Sequence, residues 1–403
     1  MSNNEPDITV NKFTLDDHHF MARAIALAKK GQYTTSPNPS VGCVLVSSSL
    51  DNNKIIGEGY HQKAGQGHAE INALNAANEH HASLIKGSTA YVTLEPCCHF
   101  GLTPPCAQAL IDAGVSHVIV AMVDPNPRVA GQGLLMLEQA GIKTQSGLLE
   151  SAAKALNLGF IKRMRTHLPF VRVKLAATLD GKTAMQSGES QWITSPESRE
   201  DVQRLRAQSC VIITGAGSVL TDNAKMTVRW SELGMLKNEY LEQDLRQPLR
   251  VVIDSQKRLT SDLALFTQES PIMLVRIFSE ISADIPLENL PTWPHFVEEV
   301  FVNANADGKV CLTELLSLLA RRGANEVLLE SGAYLAGAFI EQDLVDELVL
   351  YQAPKLIGGA GKNLIELPKV NQLLQAKSLM ISDLRMVGSD VRIMANLTKN
   401  IIE

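Results

Sequence analysis

His68-Ala-Glu70, Val92-Thr-Leu-Glu-Pro-Cys97 and Thr103-Pro-Pro-Cys106 decide how the first half of the chain folds. His68-Ala-Glu70 opens a predicted helix over Ala69 to Asn78. Glu95-Pro-Cys97 follows a predicted strand, Ala90 to Leu94, and Cys106 stands at the start of the next helix, Ala107 to Ala113. Strand, turn and helix in repeated succession mean a sheet layered between helices. The pattern extends in both directions. Upstream, Thr14-Leu-Asp-Asp supplies an N-cap with acids in the first turn. Phe20, Ala24, Leu27 and Ala28 recur at helical spacing, and Gly31 stops the run. After Pro37-Asn-Pro39, strand-like runs at Val41 to Val46 and Ile55 to Tyr60 flank a polar tip, Ser47 to Asn53, which predicts a hairpin. Downstream come a strand at Val118 to Val123, a helix at Leu134 to Ala140 and a short strand near Ile142.

A second α/β series begins at Pro169. Strands are predicted at Val171 to Ala176, Val211 to Thr214, Val251 to Asp254, Ile272 to Val275, Val300 to Asn303, Val327 to Glu330 and Leu348 to Ala353. Helices near Glu197 to Ala207, Leu312 to Arg321 and Ala333 to Ile340 separate some of them. The expected division is therefore one domain over 12–150, a basic helical linker over 151–168 and a second domain over 169–400. Segments 231–248 and 279–295 read as surface excursions.

Composition agrees with two such domains. The chain has 403 residues, 45% apolar and 20% charged, which excludes disorder over its length. Lys plus Arg is 37 and Asp plus Glu is 43, a net charge of −6 that argues against a protein built to cover phosphate backbone. Six cysteines, two of them adjacent, are too sparse for a disulfide scaffold and point to a reducing cytoplasm. No apolar run approaches the ~20 residues that span a bilayer, and Met1 to Thr9 has no secretory pattern. Neither a nucleic acid nor a membrane is expected as a partner, while a homo-oligomer is compatible with the sequence.

Singly, a cysteine is most often a small buried hydrophobe and a histidine a packing or surface residue. Together, His68, Cys97 and Cys106 match the His-x-Glu then Pro-Cys signature of zinc deaminases, except that eight residues separate the cysteines instead of two. One imidazole and two thiolates fill three corners of a tetrahedron and leave the fourth for water, whose pKa zinc lowers to about 7. Glu70 is placed to move that water's proton without ligating the metal. Cys98 competes with Cys97 for the ligand position; Cys97 is preferred because it follows Pro96. Asn38, His61 and His99 are candidates to line the substrate pocket.

In the second half, Val211-Ile-Ile-Thr-Gly-Ala-Gly217 is an incomplete dinucleotide fingerprint, because Leu220 replaces the third glycine. Gly358-Gly-Ala-Gly-Lys362 is not a phosphate loop, since Leu356 and Asn363 stand where Gly and Ser or Thr are needed. Glu330-Ser-Gly-Ala333 is the better phosphate candidate: a strand runs into a small-residue turn that opens a helix. Close helix-to-sheet packing would use the same residues. Arg206 and Arg229 are candidate phosphate forks, and Asp180 and Glu330 are candidate carboxylates.

Pro37-Asn-Pro-Ser-Val-Gly42, the three opening stretches and Asp124-Pro-Asn-Pro127 resemble the deaminase half of the bifunctional riboflavin-biosynthesis deaminase/reductase family. Lys174-Leu-Ala-Ala-Thr-Leu-Asp-Gly-Lys182, Ser187-Gly-Glu-Ser-Gln-Trp-Ile-Thr-Ser195 and Glu330-Ser-Gly332 resemble its reductase half. The resemblance implies a cytidine-deaminase-like three-layer domain followed by a dihydrofolate-reductase-like α/β domain. It implies one zinc per chain and NADPH, acting on a diaminopyrimidinone with a phosphoribosylamino arm. The first domain would hydrolyse the 2-amino group and the second reduce the ribosyl group to ribityl. The family's metal ligands fall on His68, Cys97 and Cys106, and its proton shuttle on Glu70. Its cofactor positions fall on Ala176, Trp192, Ser218, Asp222, Ser255 and the turn Gly332, Ala333, Tyr334, Leu335, Ala336, Gly337 and Ala338. Its substrate positions fall on Ser190, Arg206, Met226, Arg229 and Glu330. Leu102 departs from the family, which commonly places a basic residue there for the substrate phosphate, and Phe100 replaces a usual His or Tyr. The competing readings are a nucleobase or nucleic-acid deaminase with an appended binding domain, and a scaffold with structural zinc; the latter conflicts with three ligands and an adjacent Glu.

Overall fold

The structure, a computed structural model, describes residues 13–47, 53–99, 105–278 and 292–397. Phe100, Leu102 and most of the 279–295 excursion lie outside the described residues. The chain divides into two compact units between Arg165 and Thr166.

The first unit runs α1 (Leu15–Lys29), β1 (Gly42–Ser47), β2 (Lys54–Tyr60), α2 (Ala69–His81), β3 (Thr89–Val92), α3 (Cys106–Asp112), β4 (His117–Val120), α4 (Gln132–Gln139), β5 (Lys143–Ser146), α5 (Glu150–Leu156) and α6 (Leu158–Thr166). The sheet order is β2-β1-β3-β4-β5; β1 pairs antiparallel with β2 and β3, and β3-β4-β5 are parallel. Thr14 caps α1 in a reciprocal capping box with Asp17. Helices cover both faces because neighbouring strand residues point to opposite sides. Gly42 faces α1, where a Cβ would lie 2.0 Å from the Ala24 carbonyl oxygen; Gly59 faces α2, where one would lie 2.3 Å from the Ala73 nitrogen.

The segment anticipated as a linker, 151–168, instead packs largely into this unit. Ala153 and Ile161 are buried in its core. Asn157, at the junction of α5 and α6, receives the Ser40 N–H at 2.8 Å and donates to the Ser40 carbonyl at 2.9 Å. That pair fixes the end of the Pro37-Asn-Pro39 turn.

The second unit runs β6 (Phe170–Thr178), β7 (Lys182–Ala184), α7 (Pro196–Gln208), β8 (Val211–Gly215), α8 (Ala216–Asp222), β9 (Leu249–Ile253), β10 (Ile272–Ile277), β11 (Val297–Val302), α9 (Leu312–Arg321), β12 (Glu326–Glu330), α10 (Ala333–Glu341), β13 (Glu347–Ala353), β14 (Lys362–Asn363), β15 (Leu379–Val387) and β16 (Asp390–Leu397). Its main sheet is ordered β11-β10-β9-β8-β12-β6-β13-β16-β15; the first seven strands are parallel and the last two form an antiparallel hairpin. Parallel strands covered on both faces read as continuous apolar runs, as in Val211-Ile-Ile213 and Val327-Leu-Leu329, whose side chains are all buried. Among the described residues no helix is long and apolar enough to cross a membrane.

A fragment ending at residue 165 should unfold cooperatively in urea. One ending at 149 loses the Asn157–Ser40 pair and the buried Ile161, the latter alone worth about 1.5–3 kcal/mol, and should unfold at lower urea.

Candidate active sites

His68 is the N-cap of α2 and Glu70 sits in its first turn; Cys106 is the first residue of α3. Cys97 follows β3 and is tied to that helix start, because the Cys106 N–H reaches its Sγ at 3.3 Å and the Ala107 N–H its carbonyl at 3.1 Å. The two helix N-termini thereby converge. His68 Nδ1 lies 3.6 Å from Cys97 Sγ and 3.3 Å from Cys106 Sγ, and the three atoms all fall within 4.8 Å of one another. Ligands at zinc bond lengths of about 2.0–2.3 Å stand roughly 3.5 Å apart at tetrahedral angles, so the set fits the metal. Cys98 is not part of this cluster; Cys97 is.

Glu70 is 3% exposed. Burial, reinforced by the Cys97 charge, pushes its carboxyl up to about 7, the range in which one group can both take and give a proton. The Cys106 hydrogen bond, followed by His68, favours the Cys97 thiolate against the cost of burial.

A cavity of about 500 Å³ opens beside these groups, lined among others by Asn38, His61, His68, Glu70, Cys97 and His99. The structure thus brings Asn38, His61 and His99 to the same cavity. His61 is buried between Asn38 Nδ2, 3.1 Å from its Nε2, and the Gly67 carbonyl, 3.1 Å from its Nδ1, and burial holds it below the usual histidine range. Asp124 and Phe160 also line the cavity and were not anticipated there.

Sequence reading also missed the part played by Glu95. Its buried carboxylate accepts the N–H groups of Asp124 at 2.9 Å, Gly131 at 2.9 Å, Gly133 at 2.8 Å and Leu134 at 3.3 Å. Two residues from Cys97, it joins the metal-ligand loop to the Asp124 wall and to the N-terminus of α4.

The second unit holds a cleft at the C-terminal ends of β6, β8 and β12, where an open parallel sheet binds its ligands. It has two lobes of about 660 and 420 Å³, and Lys174, Ala176, Ser190, Arg206, Asp222, Met226 and Glu330 line both. Ser218, Gly332, Ala333, Tyr334 and Leu335 line the first lobe, Trp192 and Arg229 the second. A dinucleotide fits the first lobe. A Cβ on Gly215 would meet nothing nearer than Leu335 Cδ2 at 3.6 Å, and one on Gly332 nothing nearer than Ser218 Oγ at 3.9 Å, so side chains there would fill the cleft. Gly332 begins α10 with no side-chain cap, leaving its amides to a phosphate.

Five sequence candidates stand apart from this cleft's lining. Ala336 is in the core, Gly337 presses against the Glu366 carbonyl, Ala338 is deeper in α10, and Ser255 is exposed beyond β9. Asp180 accepts the Ile357 and Gly358 N–H groups at 3.1 and 2.6 Å, closing a turn.

Arg206 grips Glu330 bidentately at 2.6 and 2.9 Å, and Arg229 grips Glu232 at 2.6 Å through both nitrogens. Burial pushes the Glu330 carboxyl up, but the Arg206 guanidinium outweighs it and leaves the group below the usual range. Lys174, paired with Glu330 across β6 and β12, was not anticipated as a site residue; burial pushes its ammonium below the lysine range.

Residues 15–122 match the model described as the cytidine and deoxycytidylate deaminase zinc-binding region, and residues 169–391 match the RibD C-terminal domain. The chain is 47% identical over 378 residues to the riboflavin biosynthesis protein RibD of Escherichia coli, covering 94% of this chain and 98% of that one. It is 48% identical to the Haemophilus influenzae protein of the same name, covering 95% and 98%. An Acinetobacter baumannii RibD structure superposes with a TM-score of 0.83 at 39% identity, covering 95% and 99%. A Thermotoga maritima diaminohydroxyphosphoribosylaminopyrimidine deaminase/5-amino-6-(5-phosphoribosylamino)uracil reductase superposes with a TM-score of 0.80 at 30% identity, covering 94% and 98%.

Glu95→Ala strips four backbone N–H groups of their acceptor, and each unsatisfied buried donor costs about 1–3 kcal/mol. The variant should melt at lower temperature and hold less zinc by elemental analysis than Glu95→Gln, which retains an acceptor oxygen.

Proposed function

The chain belongs to the RibD family of bifunctional riboflavin-biosynthesis deaminase/reductases, and from that membership we propose how its two clefts divide the work. The first unit, through Arg165, removes the 2-amino group of 2,5-diamino-6-(5-phosphoribosylamino)pyrimidin-4(3H)-one as ammonia. The second reduces the ribosyl group of the product to ribityl with NADPH. The observation that carries this reading is the convergence of His68, Cys97 and Cys106 at zinc-ligand spacing beside a buried Glu70.

Zinc, when bound by those three side chains, lowers the pKa of water at the open corner to about 7. Glu70 takes the proton from the attacking water and delivers it to the departing amine, a use suited to a carboxyl near neutrality. Asn38 faces the ring from the cavity wall, its amide nitrogen held by His61 Nε2, and His61 is itself fixed by the Gly67 carbonyl.

In the second cleft NADPH, when bound, supplies hydride to the sugar carbon. The α10 turn, Gly332 to Leu335, would hold its diphosphate, while Ala176, Trp192 and Asp222 would border the nicotinamide end. Ser190, Met226, Arg229 and the Arg206–Glu330 pair border the substrate. Lys174 is the proton donor to the sugar oxygen: its ammonium lines both lobes, and a lowered pKa makes it the readier acid. The working compartment is a reducing cytoplasm, in keeping with six cysteines, none of them in a disulfide. An appended nucleic-acid-binding domain has no support, since relatives match the chain over both units.

Glu70→Gln should keep its zinc and lose ammonia release by about 10²–10⁴-fold, the usual worth of general acid–base catalysis. NADPH oxidation on the already deaminated substrate should persist. Ammonia release by metal-free protein, or loss of both activities in the variant, would refute the scheme. Lys174→Met should show the converse, with ammonia released and NADPH oxidation lost.

A further inference from the structure

Glu232 ends a short 3₁₀ turn, Trp230–Glu232, that Arg229 opens, and its two oxygens take the Arg229 Nε and Nη2 at 2.6 Å each. We propose that this carboxylate is a resident stand-in for the substrate's phosphate. It holds the Arg229 fork until the phosphate of an incoming ligand displaces it, and a ligand without a phosphate has nothing with which to do so. The inference rests on the assignment of this cleft to the phosphoribosylamino substrate.

The first support is that only one of the two candidate forks is free to change partner. Arg206 is committed: Nε and Nη2 go to Glu330 at 2.6 and 2.9 Å and Nη1 to the Thr227 carbonyl at 3.0 Å, and both ions are about one-tenth exposed. Separating them would strand a buried charge. Arg229 and Glu232 are 43% and 40% exposed, so a released Glu232 turns into water at little loss. Among the described residues Arg229 lines the substrate lobe and Glu232 does not. Its departure therefore clears the rim and takes nothing from the wall.

The second is charge. The hydrogen bonds from Arg229, aided at longer range by Arg199 and Arg206, hold the Glu232 carboxyl below its usual range against the opposing effect of burial. Three guanidiniums thus act on one anion position. Arg199 lines the same lobe, 4.4 Å from the Trp192 ring centroid, with its Nη1 donated to the Thr194 carbonyl at 2.9 Å. Such a position favours the ion of greater charge. A phosphate monoester carries about −1.5 to −2 near neutrality and offers three acceptor oxygens, against a single charge and two oxygens for a carboxylate.

The third is construction. The Arg229 backbone is held independently of the Glu232 side chain. Its N–H is accepted by Oε1 of the buried Gln203 in α7 at 3.0 Å, and Val228 before it exchanges two hydrogen bonds with the Gln247 amide, each 2.9 Å. The guanidinium can pass from carboxylate to phosphate on a fixed base. The Glu232 N–H closes on the Arg229 carbonyl at 3.0 Å, which keeps the carboxylate within reach to pair again when product leaves.

Calorimetric titration of the full-length protein with the ribityl product, with and without its phosphate, tests this. The wild type should bind the phosphorylated form the more tightly. Glu232→Gln should strengthen that form by about 2–5-fold, the worth of an exposed ion pair that no longer has to be broken. It should leave the dephosphorylated form unchanged, which also shows that the cleft is intact. Introduced into Arg229→Gln, the same change should lose most of its gain. A Glu232→Gln protein that binds the phosphorylated form no better than wild type overturns the inference, because the carboxylate then supports Arg229 or is idle. An equal gain for both forms overturns it as well. Wild-type protein that does not distinguish the two forms overturns the assignment of the phosphate to this cleft, and this inference with it.

Discussion

The deaminase site depends on how closely α2 lies against the sheet. Gly57 and Gly59 face that helix, and a Cβ on either would lie 2.3 Å from its backbone, at the Ala73 oxygen and nitrogen respectively. Any side chain at these positions would lift α2, and with it His68 and Glu70 at its first turn. The sheet partner of Gly59 is Cys43, fully buried under the same helix. A small thiol and two hydrogens in place of side chains are therefore what allow a helix N-terminus to come within ligand distance of Cys97 and Cys106. The proposed metal ligands are three residues, but their spacing is set by residues that carry no chemistry.

The second unit solves a different problem. Its ligands are large, so the cleft must be long and open, and the parallel sheet provides this by ending β6, β12, β8 and β9 side by side. Glycines at 215, 217 and 332 keep the rim clear, and the polar groups are spaced by strand separation instead of by helix convergence. The Arg206–Glu330 pair sits near the middle of that row. Both partners are about one-tenth exposed, so neither could remain charged there without the other.

The sequence made the proposed deaminase set legible because His68, Glu70, Cys97 and Cys106 are chemically specific residues at elements whose boundaries are themselves marked by Pro, by strand runs and by helix caps. The alternating layers and most central strands were legible for the same reason, apolar runs of fixed period. What escaped notice has no such mark. Glu95 acts on main-chain N–H groups at 124–134, which any sequence possesses. Lys174 is an ordinary basic residue until the sheet order places it in a cleft. The α5–α6 segment interleaves basic and polar residues with apolar ones, so nothing in its pattern marks Ala153, Ile161 and Asn157 as core and not connector. The β15–β16 hairpin hid because β15 exposes Leu379, Met380, Ile381, Leu384 and Met386, so no buried face alternates with a polar one.

Two glutamates show how one side chain serves both units. Among the described residues no arginine or lysine is hydrogen-bonded to the buried Glu70, and desolvation lifts its carboxyl to about 7. Glu330 is also largely removed from water, yet Arg206 keeps it ionised. In hydrolytic deamination a proton must leave water and reach an amine within one turnover, so a carboxyl poised between its two forms is useful. In the reductase cleft a glutamate that exchanged protons would release its arginine and leave a buried guanidinium uncompensated, at a cost of several kcal/mol. Environment, not residue type, assigns the roles: the deaminase carboxyl is isolated so that it can titrate, and the reductase carboxyl is paired so that it cannot.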